Sequence, residues 1–128
     1  PISVKLLQRK KRIRLHDEGE PIRNWLHAED TADAVIKIAE SGKTNEIYNI
    51  AGGFEQKNKQ TVKKIVECYF GDQRDYTDYV DLGYKREGQD VRYSLDDSKL
   101  RALGWEPKKN FDEEIQTIVD WYKDGFRW

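Results

Sequence analysis

The sequence is poor in the residues that build disulfide scaffolds and metal centres. Its single cysteine, Cys68, cannot close an internal disulfide, and with His16 and His27 as the only histidines there is no zinc cluster to assemble around it. No apolar run approaches the ~20 residues that span a bilayer. Residues 1–7 lack the basic stretch, apolar core and cleavage site of a signal peptide, so the expected setting is the cytoplasm, with no membrane partner. An excess of either charge is also missing. Twenty-three Lys and Arg against 24 Asp and Glu leave a net charge of −1, and no global field draws the chain to nucleic acid. The local exception is a basic opening (Lys5, Arg9, Lys10, Lys11, Arg12, Arg14), but no aromatic residues interleave with it as in a nucleic-acid platform, and it reads as a solvated helix face.

Self-contained chemistry is absent as well. None of the nine glycines is spaced as G-x-G-x-x-G or G-x-x-G-x-x-G, so the backbone cradle for a dinucleotide pyrophosphate is not here. There is no Walker loop, no G-x-S-x-G elbow and no H-E-x-x-H, and none of the seven tyrosines is followed four positions later by lysine. No residue is therefore assigned a catalytic or metal-binding role.

What the chain does have is enough large apolar surface for a folded unit. It has 128 residues, the size of one ordinary domain, and although 37% are charged, four Trp, seven Tyr and four Phe can fill a core. Helical and strand-like segments alternate, so the expected class is mixed α/β. Residues 3–10 read as a helix, and residues 13–16 and 22–27 as strands around a turn at 17–20. A helix from about Asp30 is expected to bury Ala32, Val35, Ile36 and Ala39, with Asp30 as a cap and Gly42 as a left-handed stop. Residues 46–50 read as a short strand. Asn58 is placed as the cap of a helix whose Val62, Ile65, Val66 and Tyr69 recur at helical spacing. An irregular Asp- and Tyr-rich stretch follows, then a strand over 91–95 and a short helix capped by Asp96 and ended by Gly104. In the final helix Asn110 and Glu113 have capping-box spacing, and Phe111, Ile115, Ile118, Val119 and Tyr122 form the buried stripe. Trp25, Trp105 and Trp121 are expected in packing roles.

Some polar residues have no such structural duty. Arg23 interrupts a strand-like run, Asn49 precedes the exit Ile50-Ala51-Gly52-Gly53, and Arg86 lies two residues before Gly88 in a loop. A guanidinium can donate two parallel charged hydrogen bonds to a phosphate, and glycine lets a ligand approach the backbone.

Four stretches resemble one family in order and wording. Gly19-Glu20-Pro21-Ile22-Arg23-Asn24-Trp25-Leu26-His27-Ala28-Glu29-Asp30 is similar to G-x-x-x-R-D-W-L-Y-V-E-D. Glu46-Ile47-Tyr48-Asn49-Ile50-Ala51-Gly52-Gly53 is similar to E-x-Y-N-I-G-G. Arg86-Glu87-Gly88-Gln89-Asp90-Val91-Arg92-Tyr93 and the following Asp96, Ser98 and Lys99 are similar to R-P-G-H-D-x-R-Y-x-x-D-x-S-K. Leu103-Gly104-Trp105-Glu106-Pro107, with Phe111 and Trp121-Tyr122, is similar to a closing L-G-W-x-P and aromatic helix. The family is that of the extended short-chain dehydrogenase/reductases acting on nucleotide sugars, and the wording is nearest to its dTDP-glucose 4,6-dehydratases. Asn24, His27, Glu87 and Gln89 depart from it.

The resemblance implies that residues 1–128 are the sugar-nucleotide-binding, carboxy-terminal portion of a Rossmann-type enzyme, without its dinucleotide-binding half. The longer enzyme would use NAD to oxidise a dTDP-hexose at C4, eliminate water across C5 and C6 and return the hydride; these residues alone are expected to be inactive. It further implies that Arg23 and Arg86 hold the diphosphate, that Asn49 holds the nucleotide end, and that His16 and Gln89 stand where the family has a tyrosine and a histidine. A related epimerase or decarboxylase, or a free-standing binding module, is the alternative. Strands and helices that normally pack on an earlier sheet would leave apolar surface exposed, so self-association into a homo-oligomer is expected.

Overall fold

The structure is a computed structural model and describes residues 1–125. Helix α1 (Ile2–Gln8) leads into strand β1 (Ile13–His16), a 3-10 turn over Asp17–Gly19, and strand β2 (Ile22–Trp25). Helix α2 (Ala28–Ser41) follows, then β3 (Phe54–Lys57), α3 (Asn58–Phe70), a second 3-10 turn at Tyr76–Tyr79, β4 (Val80–Tyr84), α4 (Ser98–Arg101) and α5 (Phe111–Gly125). The described strands form two ribbons. β1 runs parallel to β4, with Ile13 opposite Val80, and β2 runs antiparallel to β3, with Arg23 opposite Gln56 and Trp25 opposite Phe54.

Burial explains why these elements pack as they do. Leu7, Ile13, Leu15, Val62, Val66 and Val80 form a core between α1, α3 and the β1–β4 ribbon. Val4, Ile115 and Val119 pack α5 against α1. A third cluster, Ala34, Leu100 and Trp105, joins α2 to α4. Each fully buried Val or Leu contributes roughly 1.5–3 kcal/mol of hydrophobic free energy. The expected stripes of α3 and α5 are the faces that pack, and Gly71, at φ +77°, ends α3 in the left-handed conformation. Gly19 is dictated by close approach: at φ +74° a Cβ there would lie 2.8 Å from the Lys59 Cβ, so only glycine lets the β1–β2 turn rest on the start of α3.

Several expectations are corrected. The face expected to be buried on α2 is the solvent face, with Val35 and Ile36 more than half exposed, while Ala34 is buried and Ile38 packs beside it. Gly42 ends α2 in extended backbone (φ −71°, ψ 153°), and the left-handed residue of that loop is Asn45. Residues 46–50 are not a strand, because a strand exists by pairing and no neighbour runs beside them among the described residues. Residues 91–95 make only a single bridge, Arg92 to Ile22. The stretch read as irregular contains β4, whose pairing partner lies more than sixty residues earlier.

Caps are corrected too. His27, not Asp30, caps α2, its Nδ1 accepting from Glu29 N–H at 3.2 Å. Asp30 is buried, and its carboxylate accepts from the backbone N–H groups of Lys108 (2.9 Å) and Lys109 (3.1 Å). The Asp30 carbonyl also accepts from Trp105 Nε1 at 3.2 Å, pinning the α4–α5 loop to α2. Asn58 is the first residue of α3 and Lys57 its cap position. Of the tryptophans expected in packing roles, Trp105 is in the core, and Trp121, 62% exposed, packs edge-on against Tyr122. Among the described residues no helix is long and apolar enough to cross a membrane, and no group of three His, Cys, Asp or Glu side chains is gathered as metal ligands.

Candidate functional site

Where β1 ends, β2 runs past and the loop after β4 folds back, a cavity of about 370 Å³ opens, lined by charged and polar side chains. His16 comes from the end of β1, Arg23, Asn24 and Trp25 from β2, and Asn58 from the start of α3. Arg86, Gly88, Gln89, Asp90 and Tyr93 come from the loop. Gly88 has φ +69°, which a β-carbon would disfavour, and Gln89 N–H donates to Arg86 O at 3.3 Å across that turn. Four of the five residues singled out in the sequence, His16, Arg23, Arg86 and Gln89, thus share one space. Asn49 does not line it: its Nδ2 donates to Asp96 O at 3.0 Å, bracing the approach to α4.

The two arginines differ in how they are held. Arg23 Nη1 donates to Ile22 O (2.7 Å) and Asp90 O (3.1 Å), and its Cζ lies 4.2 Å from the centroid of the Tyr93 ring. Arg86 is exposed and makes no side-chain hydrogen bond or ion pair among the described residues. Arg92 does not line the cavity; its Nε donates to Glu55 Oε2 at 2.8 Å, tying the loop to β3. Asn24 is spent on structure, its Oδ1 accepting from Gly52 N–H at 3.1 Å.

Two atoms in the wall have unmet hydrogen-bonding capacity. His16 Nδ1 and Trp25 Nε1 are buried without a partner among the described residues, a condition that calls for an explanation in a folded protein. The His16 ring is fixed by an edge contact with Tyr84 at 6.0 Å, and the Trp25 ring by one with Phe111 at 5.6 Å. With two guanidinium groups against the one carboxylate of Asp90, the lining carries net positive charge, and α3 adds the positive end of its dipole at Asn58. Beyond the lining, Glu20 pairs with Lys57 at 2.6 Å and also with Lys59. Those two ammonium groups lower its carboxyl from 4.5 to about 2 and lock the β1–β2 turn onto the start of α3.

Sequence reasoning missed Asn24, Trp25, Asn58, Asp90 and Tyr93 as lining residues. Tyr93 carried a usable signal, an aromatic residue directly after Arg92 in the stretch matched as R-Y. Asn58 carried none, since its place depends on β3 pairing with β2.

Comparison with known proteins shows the family. Residues 2–118 match the family described as GDP-mannose 4,6 dehydratase. The chain is 31% identical over 128 residues to dTDP-D-glucose 4,6-dehydratase of Homo sapiens, covering 98% of this chain and 37% of that one. It is 34% identical over 122 residues to dTDP-glucose 4,6-dehydratase 1 of Escherichia coli K12, covering 92% and 34%. The solved dTDP-glucose 4,6-dehydratase of Streptomyces venezuelae superposes with a TM-score of 0.85 at 31% identity, over 97% of this chain and 38% of that one. This chain therefore spans little more than a third of the length of these relatives, and its mixed α/β fold is that of the matching part of a Rossmann-type, extended short-chain dehydrogenase. With the four sequence stretches and these matches pointing one way, the chain belongs to the GDP-mannose 4,6 dehydratase family.

Proposed function

We propose that residues 1–128 are the substrate-binding portion of an NAD-dependent nucleotide-sugar dehydratase of the dTDP-glucose 4,6 type, and that the cavity holds the diphosphate of a dTDP-hexose. The observation that carries this is the pairing of Arg23 and Arg86 across one small polar cavity. Two guanidinium groups from separate segments suit a ligand with two adjacent phosphates, because each can meet a pair of oxygens. His16 and Gln89 add hydrogen-bond donors. Asn49, bonded to the backbone at Asp96, contributes to the nucleotide end only if that bond is exchanged for one to the ligand.

NAD is bound in the solved Streptomyces venezuelae relative, but the residues here do not fit a dinucleotide. The β2–α2 junction passes through Leu26-His27 and the β3–α3 junction directly from Lys57 to Asn58, both without glycine, and the long β4–α4 junction has Gly88 alone, so no glycine-rich turn brings backbone N–H groups against a pyrophosphate. In this reading the oxidation at C4 and the loss of water across C5 and C6 take place on other residues of the longer enzyme. This portion anchors the sugar, converting binding energy at the diphosphate into orientation at the ring. Self-association belongs to the same proposal, supported by the exposed Val35, Ile36 and Ile47.

The test is calorimetric titration of dTDP and thymidine into the chain and its variants. Arginine–phosphate contacts worth about 1.5–3 kcal/mol make Arg86→Ala weaken dTDP binding roughly ten- to a hundredfold and leave thymidine almost unchanged. Arg86→Lys should recover part of the loss. Equal losses for both ligands would place Arg86 at the base or in the fold and refute the diphosphate assignment.

A further inference from the structure

Arg23 is immobilised by groups that are not ligands. Its Nη1 donates to both Ile22 O and Asp90 O, and a guanidinium Nη carries two hydrogens, so that nitrogen is fully committed. The Nε and Nη2 donors have no partner among the described residues. They lie on one edge of the planar group, the edge that donates two parallel bonds to an oxyanion. The guanidinium carbon meanwhile rests over the Tyr93 ring at 4.2 Å. Tyr93 is itself registered against β2, since its N–H donates to Ile22 O (3.4 Å) while Ile22 N–H donates to Val91 O (2.8 Å). Arg92, held by Glu55, fixes the residue between.

We propose that Tyr93 is a positioning residue for anion binding: its ring and the two carbonyls hold the Arg23 guanidinium so that the Nε/Nη2 edge meets a phosphate of the ligand in the cavity. The proposal rests on the reading of that cavity as a diphosphate site. Its physical content is preorganisation. An arginine that is loose before binding loses rotamer freedom when it captures a phosphate, whereas one already stacked and bonded has lost that freedom on folding. Arg23 is in the second condition and Arg86 in the first. The phenol hydroxyl plays no part, so the ring alone should suffice.

Two measurements test it. In titrations with inorganic pyrophosphate and with dTDP, Tyr93→Leu should weaken binding of both probes roughly two- to fivefold, the scale of an exposed cation–π contact, and Tyr93→Phe should restore it. In an Arg23→Ala background, Tyr93→Leu should cause no additional loss. In ¹H–¹⁵N spectra without ligand, the Arg23 Nε–H signal should be shifted upfield by the ring in wild type and Tyr93→Phe, and should lie at its ordinary position in Tyr93→Leu. If Arg23→Ala weakens binding but Tyr93→Leu does not, or if Tyr93→Leu costs as much with Arg23 absent, the positioning role is overturned and the diphosphate reading survives. A wild-type chain that binds neither probe overturns both. An unshifted Arg23 signal in the wild type refutes the stack whatever the affinities.

Discussion

Helices α2 and α3 carry apolar stripes of the same periodicity, yet one lies in solvent and the other in the core. On α3, Val62 and Val66 are buried, with Ile65 and Tyr69 packed beside them against α1 and α5. On α2, Val35 and Ile36 are exposed, and the helix is held from its other side by Ala34, by Ile38 and by the Asp30 carboxylate that binds the Lys108–Lys109 backbone. Periodicity reports that a helix has an apolar face. Whether that face is covered depends on what the rest of the fold brings to it. Residues 46–50, which follow α2 in sequence, pack Tyr48 and Ile50 against the buried Ala34 side and leave Ile47 85% exposed.

The contrast is sharpest for a charge placed on each stripe. Val66→Asp would bury an unpaired carboxylate at a position with no exposure and should cost about 3–5 kcal/mol, whereas Val35→Asp, in solvent, should change stability by no more than about 0.5 kcal/mol. Urea denaturation of both variants measures this. A cost for Val35→Asp comparable to that of Val66→Asp would mean that the α2 face is covered in solution, and its dependence on protein concentration would identify self-association.

Next in size is the buried carboxylate that holds the α2 side together. Asp30→Ala leaves the N–H groups of Lys108 and Lys109 without their acceptor and should cost about 1–3 kcal/mol, with Asp30→Asn recovering part. Its hydrogen-exchange signature should be local, raising exchange at residues 105–109 before it does so in α3. Uniform loss of protection would show that the two sides unfold as one.

The smallest effect belongs to the α3 side. Lys57 and Lys59 hold the Glu20 carboxyl near 2 in the folded protein, below its ordinary 4.5. A depressed carboxylate stabilises the fold above its unfolded pKa, and this contribution is lost as pH falls from about 4.5 through about 2. Glu20→Gln should therefore flatten the acid limb of the stability profile in that window and change little at neutral pH beyond the loss of an exposed, salt-screened pair. An unchanged acid limb would show that these ion pairs do not persist in solution.

Much of the site is legible in the sequence. Arg23 and Arg86 stand out because each is a cation that the local sequence pattern does not explain, and Gly88 because a turn is needed beside one of them. The distance between the two arginines has no such signal, since they are brought together by the bridge from Ile22 to Arg92, a contact between segments seventy residues apart in sequence. Asn49 shows the converse. Its type and place suit a ligand, but its amide is taken by the Asp96 carbonyl, a partner that only the folded chain supplies.

By itself the sequence determined the helices, the cap at Asn110 and the absence of a dinucleotide loop from these residues; at α4 it came within a residue or two, since the cap position is Asp97, with Asp96 accepting from Ser98 N–H, and the helix ends at Arg101 before the left-handed Gly104. These follow from local chemistry: apolar spacing, side-chain oxygens beside free N–H groups, and a glycine where φ must be positive. Only the tertiary structure decided that residues 80–84 are a strand and 46–50 are not, that the solvent face of α2 is its apolar one, and that Tyr93 lies under Arg23. Each of these depends on a partner distant in the chain, and a strand, a buried face or a stacked cation has no local pattern that names its partner.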